Sequence, residues 1–239
     1  MSNIFLKERI IRQIEIIGDL MPDIICFQEI VHDLCSFLKK GFPGYEYISS
    51  FENSDPRKKW YGELIFSKYP IVDKGNIFFH SNRQRQASYI KIDFDGEIIT
   101  IITSQLEKFS ENKNIRLEQA GIIFDAIKNR TIFCGDTNLN QDEYSLLFEE
   151  MNKKGISEIL DDKNTYFGSR FLKSDENHNF DKFWLSRDII CKVFFHILTK
   201  PKNIKTDKGK IKTYLSDHDG IFAKFKIDKS IKPNKDKNV

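Results

Sequence analysis

The amino-acid sequence predicts a mixed α/β fold in which two β-sheets face each other with helices on their outer sides, and three observations carry that prediction. A helix-period segment near the N-terminus runs straight into a short apolar strand. The middle of the chain is a block of successive β-rich runs separated by turn residues. The second half then returns to helix and strand in alternation, with polar residues gathered at strand ends.

Taken in order, Leu6, Ile10, Ile14, Ile17 and Leu20 recur at three- or four-residue spacing, which places one buried face on a helix that Pro22 ends. Ile24-Ile25-Cys26-Phe27 is a continuous apolar run between Pro-Asp and Gln28-Glu29, so it reads as a strand buried on both faces with Glu29 at its C-terminal end. A second helix passes through Leu34, Phe37 and Leu38 and is broken by Gly41, Pro43 and Gly44. The runs 62–66, 71–79, 88–94 and 98–104 read as antiparallel neighbours, the last two joined through Asp95-Gly96. A helix over about 114–128 turns Ile115, Ile122, Ile123, Ala126 and Ile127 inward, and the strand 131–134 delivers Gly135-Asp136-Thr137-Asn138. A helix near 144–151, a strand near 183–185 and a last strand at 221–227 complete the set.

At 239 residues and 40% hydrophobic content the chain fills one large core, so residues 1–227 are expected to form one domain. Residues 228–239 carry lysines and almost no apolar anchors, and they read as a disordered tail. A net charge of +3 permits a polyanionic partner without requiring one. Cys26, Cys35, Cys134 and Cys191 have neither zinc-site spacing nor disulfide density, which fits buried thiols in a reducing compartment. No signal peptide or membrane-length apolar run is present, so the expectation is an intracellular monomer of cytoplasm or nucleus that does not engage a membrane.

Four segments put acids, amides or an imidazole directly after a buried strand: Gln28-Glu29, Gly135-Asp136-Thr137-Asn138, Phe180-Asp181-Lys182 and Ser216-Asp217-His218. A strand-end acid taken singly is often a turn former or a helix cap. Together they compose the parts of phosphodiester hydrolysis. Glu29 and Asp217 are hard oxygen ligands suited to Mg²⁺, with Mn²⁺ as a substitute. Asp136 positions or deprotonates the attacking water, and Asn138 and His218 donate to the phosphate. Asp181 holds the far nitrogen of His218 and favours the imidazolium.

The segments Phe27-Gln28-Glu29, Gly62-Glu63-Leu64-Ile65-Phe66-Ser67-Lys68-Tyr69-Pro70-Ile71, Gly135-Asp136-Thr137-Asn138 and Ser216-Asp217-His218 resemble the successive signatures of the endonuclease/exonuclease/phosphatase superfamily. That resemblance implies a four-layer, DNase I-like sandwich of two mixed sheets flanked by helices. Within the superfamily, Thr103-Ser104-Gln105-Leu106-Glu107, Asp136-Thr137-Asn138-Leu139 and Arg85 ahead of a strand are most similar to the tyrosyl-DNA phosphodiesterase 2 subgroup. The implied substrate is the 5′ end of DNA joined to a protein tyrosine, or RNA linked to a peptide, with Arg85, Asn138 and Gln105 as substrate contacts.

Three departures qualify that resemblance. The family's first strand, ending in an Asn, is expected either to lie upstream of Met1 or to be missing at a cost in metal affinity, because the sequence enters a helix directly after Met1-Ser2-Asn3. Gln105 stands where the pattern has a phosphate-binding His, and Gln donates a hydrogen bond but carries no proton. Asp219 stands where the subgroup carries Trp, and Asn140 where it carries Arg, which sets an acid beside the expected path of the phosphates. Arg83 reads equally as a backbone contact or a solvated hairpin residue, Trp60 and Tyr61 as a stacking platform or as core, and His32, His80, His178 and His196 as ordinary histidines without a carboxylate partner. The lysine-rich stretch 200–212 reads as a phosphate-tracking loop or, more commonly for such a run, a mobile solvated connection. Two other readings stand beside the leading one. They are a same-fold hydrolase for abasic DNA, poly(A) RNA, an inositol phosphate or a sphingolipid, and an inactive member acting as a binding protein.

Overall fold

Helix α1 (Asn3–Leu20) realises the first apolar stripe, burying Ile10 and Ile17 against α2 (His32–Gly41) and the strand between them, β1 (Ile24–Ile30). The computed structural model describes residues 3–51, 61–171, 175–206 and 209–231, with the side chains of residues 3–5 left aside. Strands β2 (Glu46–Ser49) and β3 (Gly62–Ser67) follow, and β3 pairs antiparallel with both β1 and β2 to form a three-stranded sheet in the order β1-β3-β2. The run at 62–66 therefore leaves the company of its sequence neighbours. As the central strand it is buried along its whole length.

Strands β4 (Ile71–Phe78), β5 (Gln86–Phe94) and β6 (Glu97–Gln105) are the antiparallel meander that the sequence predicts. Helix α3 (Lys113–Ala126) is the crossover from β6 to β7 (Thr131–Asp136), which lies parallel to β6. Its buried face is Arg116, Gln119, Ala120, Ile123 and Phe124, not the wholly aliphatic stripe expected. The two inward polar side chains have partners: Arg116 bonds Glu143, and Gln119 accepts from the Glu107 N–H while donating to the His80 carbonyl. Helix α4 (Gln141–Lys154) begins at Asn140, whose side chain accepts from the Glu143 N–H in a capping box, and Gly155 ends it at φ 66°.

The chain continues through β8 (Ser157–Glu158), β9 (Tyr166–Phe167), β10 (Asn177–His178) and β11 (Asp181–Leu185). Strands β8 and β11 complete a six-stranded sheet in the order β4-β5-β6-β7-β11-β8, while β9 and β10 pair with each other as a separate two-stranded ribbon. Strand β12 (Ile189–Ile197) pairs with β15 (Gly220–Ile227), and β13 (Lys202–Thr206) and β14 (Gly209–Thr213) form a hairpin between them. The lysine-rich stretch is thus a paired ribbon in its described part, not an irregular connection.

The layers follow from three apolar clusters. Ile90, Ile92, Ile101 and Ile132 of the six-stranded sheet pack on Ile48 and Ile65 from one side of the facing layer and on Ile189, Phe225 and Ile227 from the other. Ile123, Phe124, Leu147 and Met151 close the outer face with Phe133 and Trp184, and α1 and α2 cover the opposite face. The arrangement is the expected sandwich, with its second sheet in two pieces. Among the described residues β1 pairs only with β3 and β15 only with β12, so each keeps an open edge, and most of β1 is half-buried where the sequence predicts full burial. No described strand precedes α1. Residues 228–231 turn back, with the Asp228 N–H donating to the Asp188 carbonyl, and the rest of the expected tail lies outside the described residues.

Candidate active site

Register across β6, β7 and β11 sets Gln105, Asp136 and Asp181 side by side, since Gln105 opposes Asp136 and Asp136 opposes Asp181. Asp136, the last residue of a central strand, is 3% exposed. Its Oδ2 accepts from Gln105 Nε2 at 2.8 Å and its Oδ1 from the Asn138 N–H at 3.0 Å. Burial pushes its carboxyl above the ordinary value, with protonated His218 pulling the other way. Asn138 holds φ 50°, which Asn tolerates better than most residues, and its Nδ2 donates to the Leu106 carbonyl at 3.1 Å. Gln105 is fully buried, its Nε2 aimed at Asp136, and its Oε1 has no hydrogen-bond partner among the described residues.

The imidazole comes from the loop before β15. His218 Nδ1 lies 2.7 Å from Asp181 Oδ2. Burial opposes its charge, but Asp181, then Asp136 and Asp217, outweigh burial and push its pKa up to about 10. The same partner holds Asp181 low against its own burial. Backbone bonds fix this loop to the segment around β9: the Phe167 N–H donates to the Asp217 carbonyl at 2.9 Å, and the Asp219 N–H to the Thr165 carbonyl at 2.7 Å.

Asp219 corrects an expectation. Its carboxylate is buried, with Oδ1 accepting from Arg170 Nη2 at 2.7 Å and Oδ2 lying 3.0 Å from His196 Nδ1. It fastens the loop and presents no bare acid to a phosphate. His196 likewise has carboxylate partners, Asp219 and Asp161, that its position in the sequence does not reveal. Asn140 is the cap of α4, so its side chain faces that helix terminus.

Glu29 leaves the alternation of β1 through a bulge between Phe27 and Ile30 and sits at φ 55°. Its Oε1 is 2.6 Å from Lys108 Nζ and 3.8 Å from Arg85 Nη2. Burial would raise its carboxyl, but Lys108 in particular holds it below the ordinary value. Arg85 is buried beside Glu29 and lies on no open surface, and its Nε has no hydrogen-bond partner among the described residues. Sequence reasoning overlooked Lys108, which follows the Gln105-Leu106-Glu107 segment without belonging to any motif.

Glu29, Asp136, Asp181, Asp217 and His218 line one cavity of about 1440 Å³ that continues inward along β1 and β15. Distant stretches of the chain thus line one largely apolar cavity, with Gln105 and Asn138 bonded to its Asp136 and Arg85 beside its Glu29. Among the described residues no three His, Cys, Asp or Glu side chains cluster as a ready-made metal cage. Two carboxylates plus a substrate phosphate are nevertheless the donor set that Mg²⁺ takes, so Glu29 and Asp217 fit that ion in kind. Of the other candidates, Arg83 lies over Phe109, His178 stacks on Phe180 and Tyr166, and His32 meets the edge of Phe51. Tyr61 is partly exposed, and Trp60 lies outside the described residues. All four cysteines are free, Cys35 buried and the others half-buried.

Comparison with known proteins places the fold. The profile of the Endonuclease/Exonuclease/phosphatase family matches residues 6–218. Tyrosyl-DNA phosphodiesterase 2 of Rattus norvegicus is 25% identical over 130 residues, a match covering 51% of this chain and 34% of that protein. The chain therefore aligns with about a third of the length of the curated relatives. The crystal structure of D. rerio TDP2 complexed with single-strand DNA product superposes with a TM-score of 0.76 at 20% identity, covering 95% of this chain and 94% of that one. A mannosyl-6-phosphatase from Bacteroides thetaiotaomicron superposes with a TM-score of 0.75 at 18% identity, covering 93% and 92%.

Proposed function

Since the chain belongs to the Endonuclease/Exonuclease/phosphatase family, we propose that it is a divalent-metal-dependent phosphodiesterase that hydrolyses 5′ nucleic-acid ends carrying a tyrosine or protein adduct. One observation carries the reading: a desolvated Asp136 and a charged His218–Asp181 pair meet at the strand ends in the cavity that Glu29 and Asp217 also line. The substrate class is supported by the relatives named tyrosyl-DNA phosphodiesterase 2 and by the structure of one with a DNA product.

In this mechanism Glu29 and Asp217 would hold Mg²⁺, which when bound would supply positive charge to the phosphoryl oxygens. Asp136 takes the proton of the attacking water. Burial has made its carboxylate a stronger base, and Gln105 with the Asn138 N–H fixes where its oxygens point. His218, with Nδ1 held by Asp181, presents Nε2 to a non-bridging oxygen as a charged donor. Gln105 serves this reading as the positioner of Asp136 more than as a phosphate donor, because its amide nitrogen is already directed at that carboxylate.

The test is Mg²⁺-dependent release of tyrosine from a 5′-phosphotyrosyl oligonucleotide. The parent chain hydrolyses it, and Asp136→Asn and His218→Ala each lose about 10²-fold or more in turnover. A folded parent that leaves this substrate and a chromogenic phosphodiester untouched in excess Mg²⁺ or Mn²⁺ is a binding protein, and the reading fails. The likeness to a mannosyl-6-phosphatase shows that the fold does not select the ester. The assay panel therefore includes abasic DNA, poly(A) RNA, inositol phosphate and sugar phosphate. Faster turnover of one of those replaces the substrate while keeping the chemistry.

A further inference from the structure

Glu29 is the carboxylate assigned to a divalent cation, yet its Oε1 already faces a cation of the protein's own. The Lys108 ammonium lies 2.6 Å away, a charge-assisted contact, and the Arg85 guanidinium 3.8 Å away. Lys108 is delivered there by a loop fixed on both sides of it. The Leu106 N–H donates to the Asp136 carbonyl at 2.9 Å and the Glu107 N–H to buried Gln119 at 2.9 Å. Asn112 donates to the Lys108 carbonyl at 2.7 Å, and Arg116 Nη1 spans the Glu107 and Phe109 carbonyls. Phe109, next in the chain, is held at φ 72°. The backbone under Lys108 is anchored, while its side chain is 27% exposed and has room to re-aim. Arg85, at 5%, does not.

An ammonium at contact distance and a divalent ion compete for the same carboxylate oxygen, and the two positive charges repel strongly at such separations. We propose that Lys108 is an internal counter-cation of Glu29, which a divalent ion must displace to bind and which, once displaced, is left within reach of the phosphate that arrives with the ion. The proposal rests on reading this cavity as a divalent-metal site. It gives Lys108 two positions, one on the carboxylate and one on the substrate, and makes metal and phosphate binding cooperative through a single flexible side chain.

The experiment is direct Mn²⁺ binding, followed by electron paramagnetic resonance of the free ion, on the purified full chain without substrate. Lys108→Gln is expected to tighten the Mn²⁺ Kd at least tenfold, Lys108→Met, a second neutral variant, to do the same, and Lys108→Arg to stay within about threefold of the parent. Inorganic phosphate should tighten Mn²⁺ binding in the parent by a larger factor than in Lys108→Gln. Equal or weaker Mn²⁺ binding in folded Lys108→Gln and Lys108→Met overturns the counter-cation role. If neither the parent nor the neutral variants bind Mn²⁺, or if Glu29→Gln binds as the parent does, the metal reading of Glu29 is what fails.

Discussion

Asp181→Asn separates a charged His218 from a merely hydrogen-bonded one. The imidazole titrates at about 10, against an ordinary 6.5, with Asp181 the largest influence holding its proton and Asp136 and Asp217 adding to it. At about 1.36 kcal/mol per pH unit the whole elevation is on the order of 5 kcal/mol, and breaking one buried ion pair by removing a partner costs about 3 kcal/mol. A group whose folded pKa is raised contributes its full stability below its unfolded value and loses it as pH rises through the folded value. The Asp181 carboxylate is held low, so its own contribution is present above its ordinary 3.8. At pH 6 both conditions hold, and urea unfolding of the metal-free protein should show Asp181→Asn less stable by about 3 kcal/mol. By pH 10.5 the parent's imidazole has lost most of its charge, and the deficit should shrink toward the ~1 kcal/mol of a neutral hydrogen bond. A ring-nitrogen NMR titration should place the His218 midpoint of the variant at least two pH units below the parent's. A deficit that is constant between pH 6 and pH 10.5 would refute the ionic pair.

Gln105→Ala removes the Nε2 donor on buried Asp136. Unfolding free energy should fall by about 2 kcal/mol, and turnover should fall about 10-fold to 100-fold with KM little moved, whereas Gln105→His should keep most of the turnover. If Ala matches the parent in steady-state kinetics, the amide orients nothing. Gly135→Ala would set a Cβ 2.1 Å from the Ser104 carbonyl oxygen, so β6 and β7 must separate beside Asp136. Thermal unfolding should show a loss of several kcal/mol, while the same change at Gly121, where the nearest atom is 3.9 Å away, should stabilise by up to ~1 kcal/mol. Arg170→Met leaves the buried Asp219 carboxylate with His196 in place of two side-chain partners and should cost about 3 kcal/mol in urea unfolding, more than the double variant Arg170→Met/Asp219→Leu costs.

What could be read in the sequence was whatever is carried by local pattern. The helices α1, α3 and α4, the meander β4 to β6 and the strand ends bearing Glu29 and Asp136 all come from period and punctuation, which act over a few residues. Asp181, by contrast, opens β11 and Asp217 lies in the loop leading into β15, ahead of their strands and not after them as the sequence predicts. Strand β12 escaped because Ile189-Ile190-Cys191-Lys192-Val193-Phe194-Phe195-His196-Ile197 does not alternate, and a register shift between Cys191 and Val193 breaks its period again. The inward faces of Arg116 and Gln119 escaped because their partners, Glu143 and the Glu107 and His80 backbone, lie elsewhere in the chain. Lys108, Arg170 and His196 belong to the same class. Each is an ordinary polar side chain until the fold brings Glu29, Asp219 or Asp161 to it.

The departures from the family pattern bear on whether this pocket is a relic. A pocket relieved of chemistry has no reason to keep buried charge, since an unpaired carboxylate out of water costs several kcal/mol and drifts to apolar or neutral residues. Here the changed positions are each absorbed by a partner: Asp219 by Arg170 and His196, Asn140 by the start of α4, and Gln105 by Asp136. Asp136 still sits almost fully buried with its carboxyl raised, and Glu29 still occupies a left-handed backbone position that a Glu adopts only under constraint. One of those features costs desolvation and the other backbone strain. A desolvated base and a carboxylate turned out of its strand are what hydrolysis at a phosphate needs, and a binding surface that used only the shape of the sandwich would have no use for either.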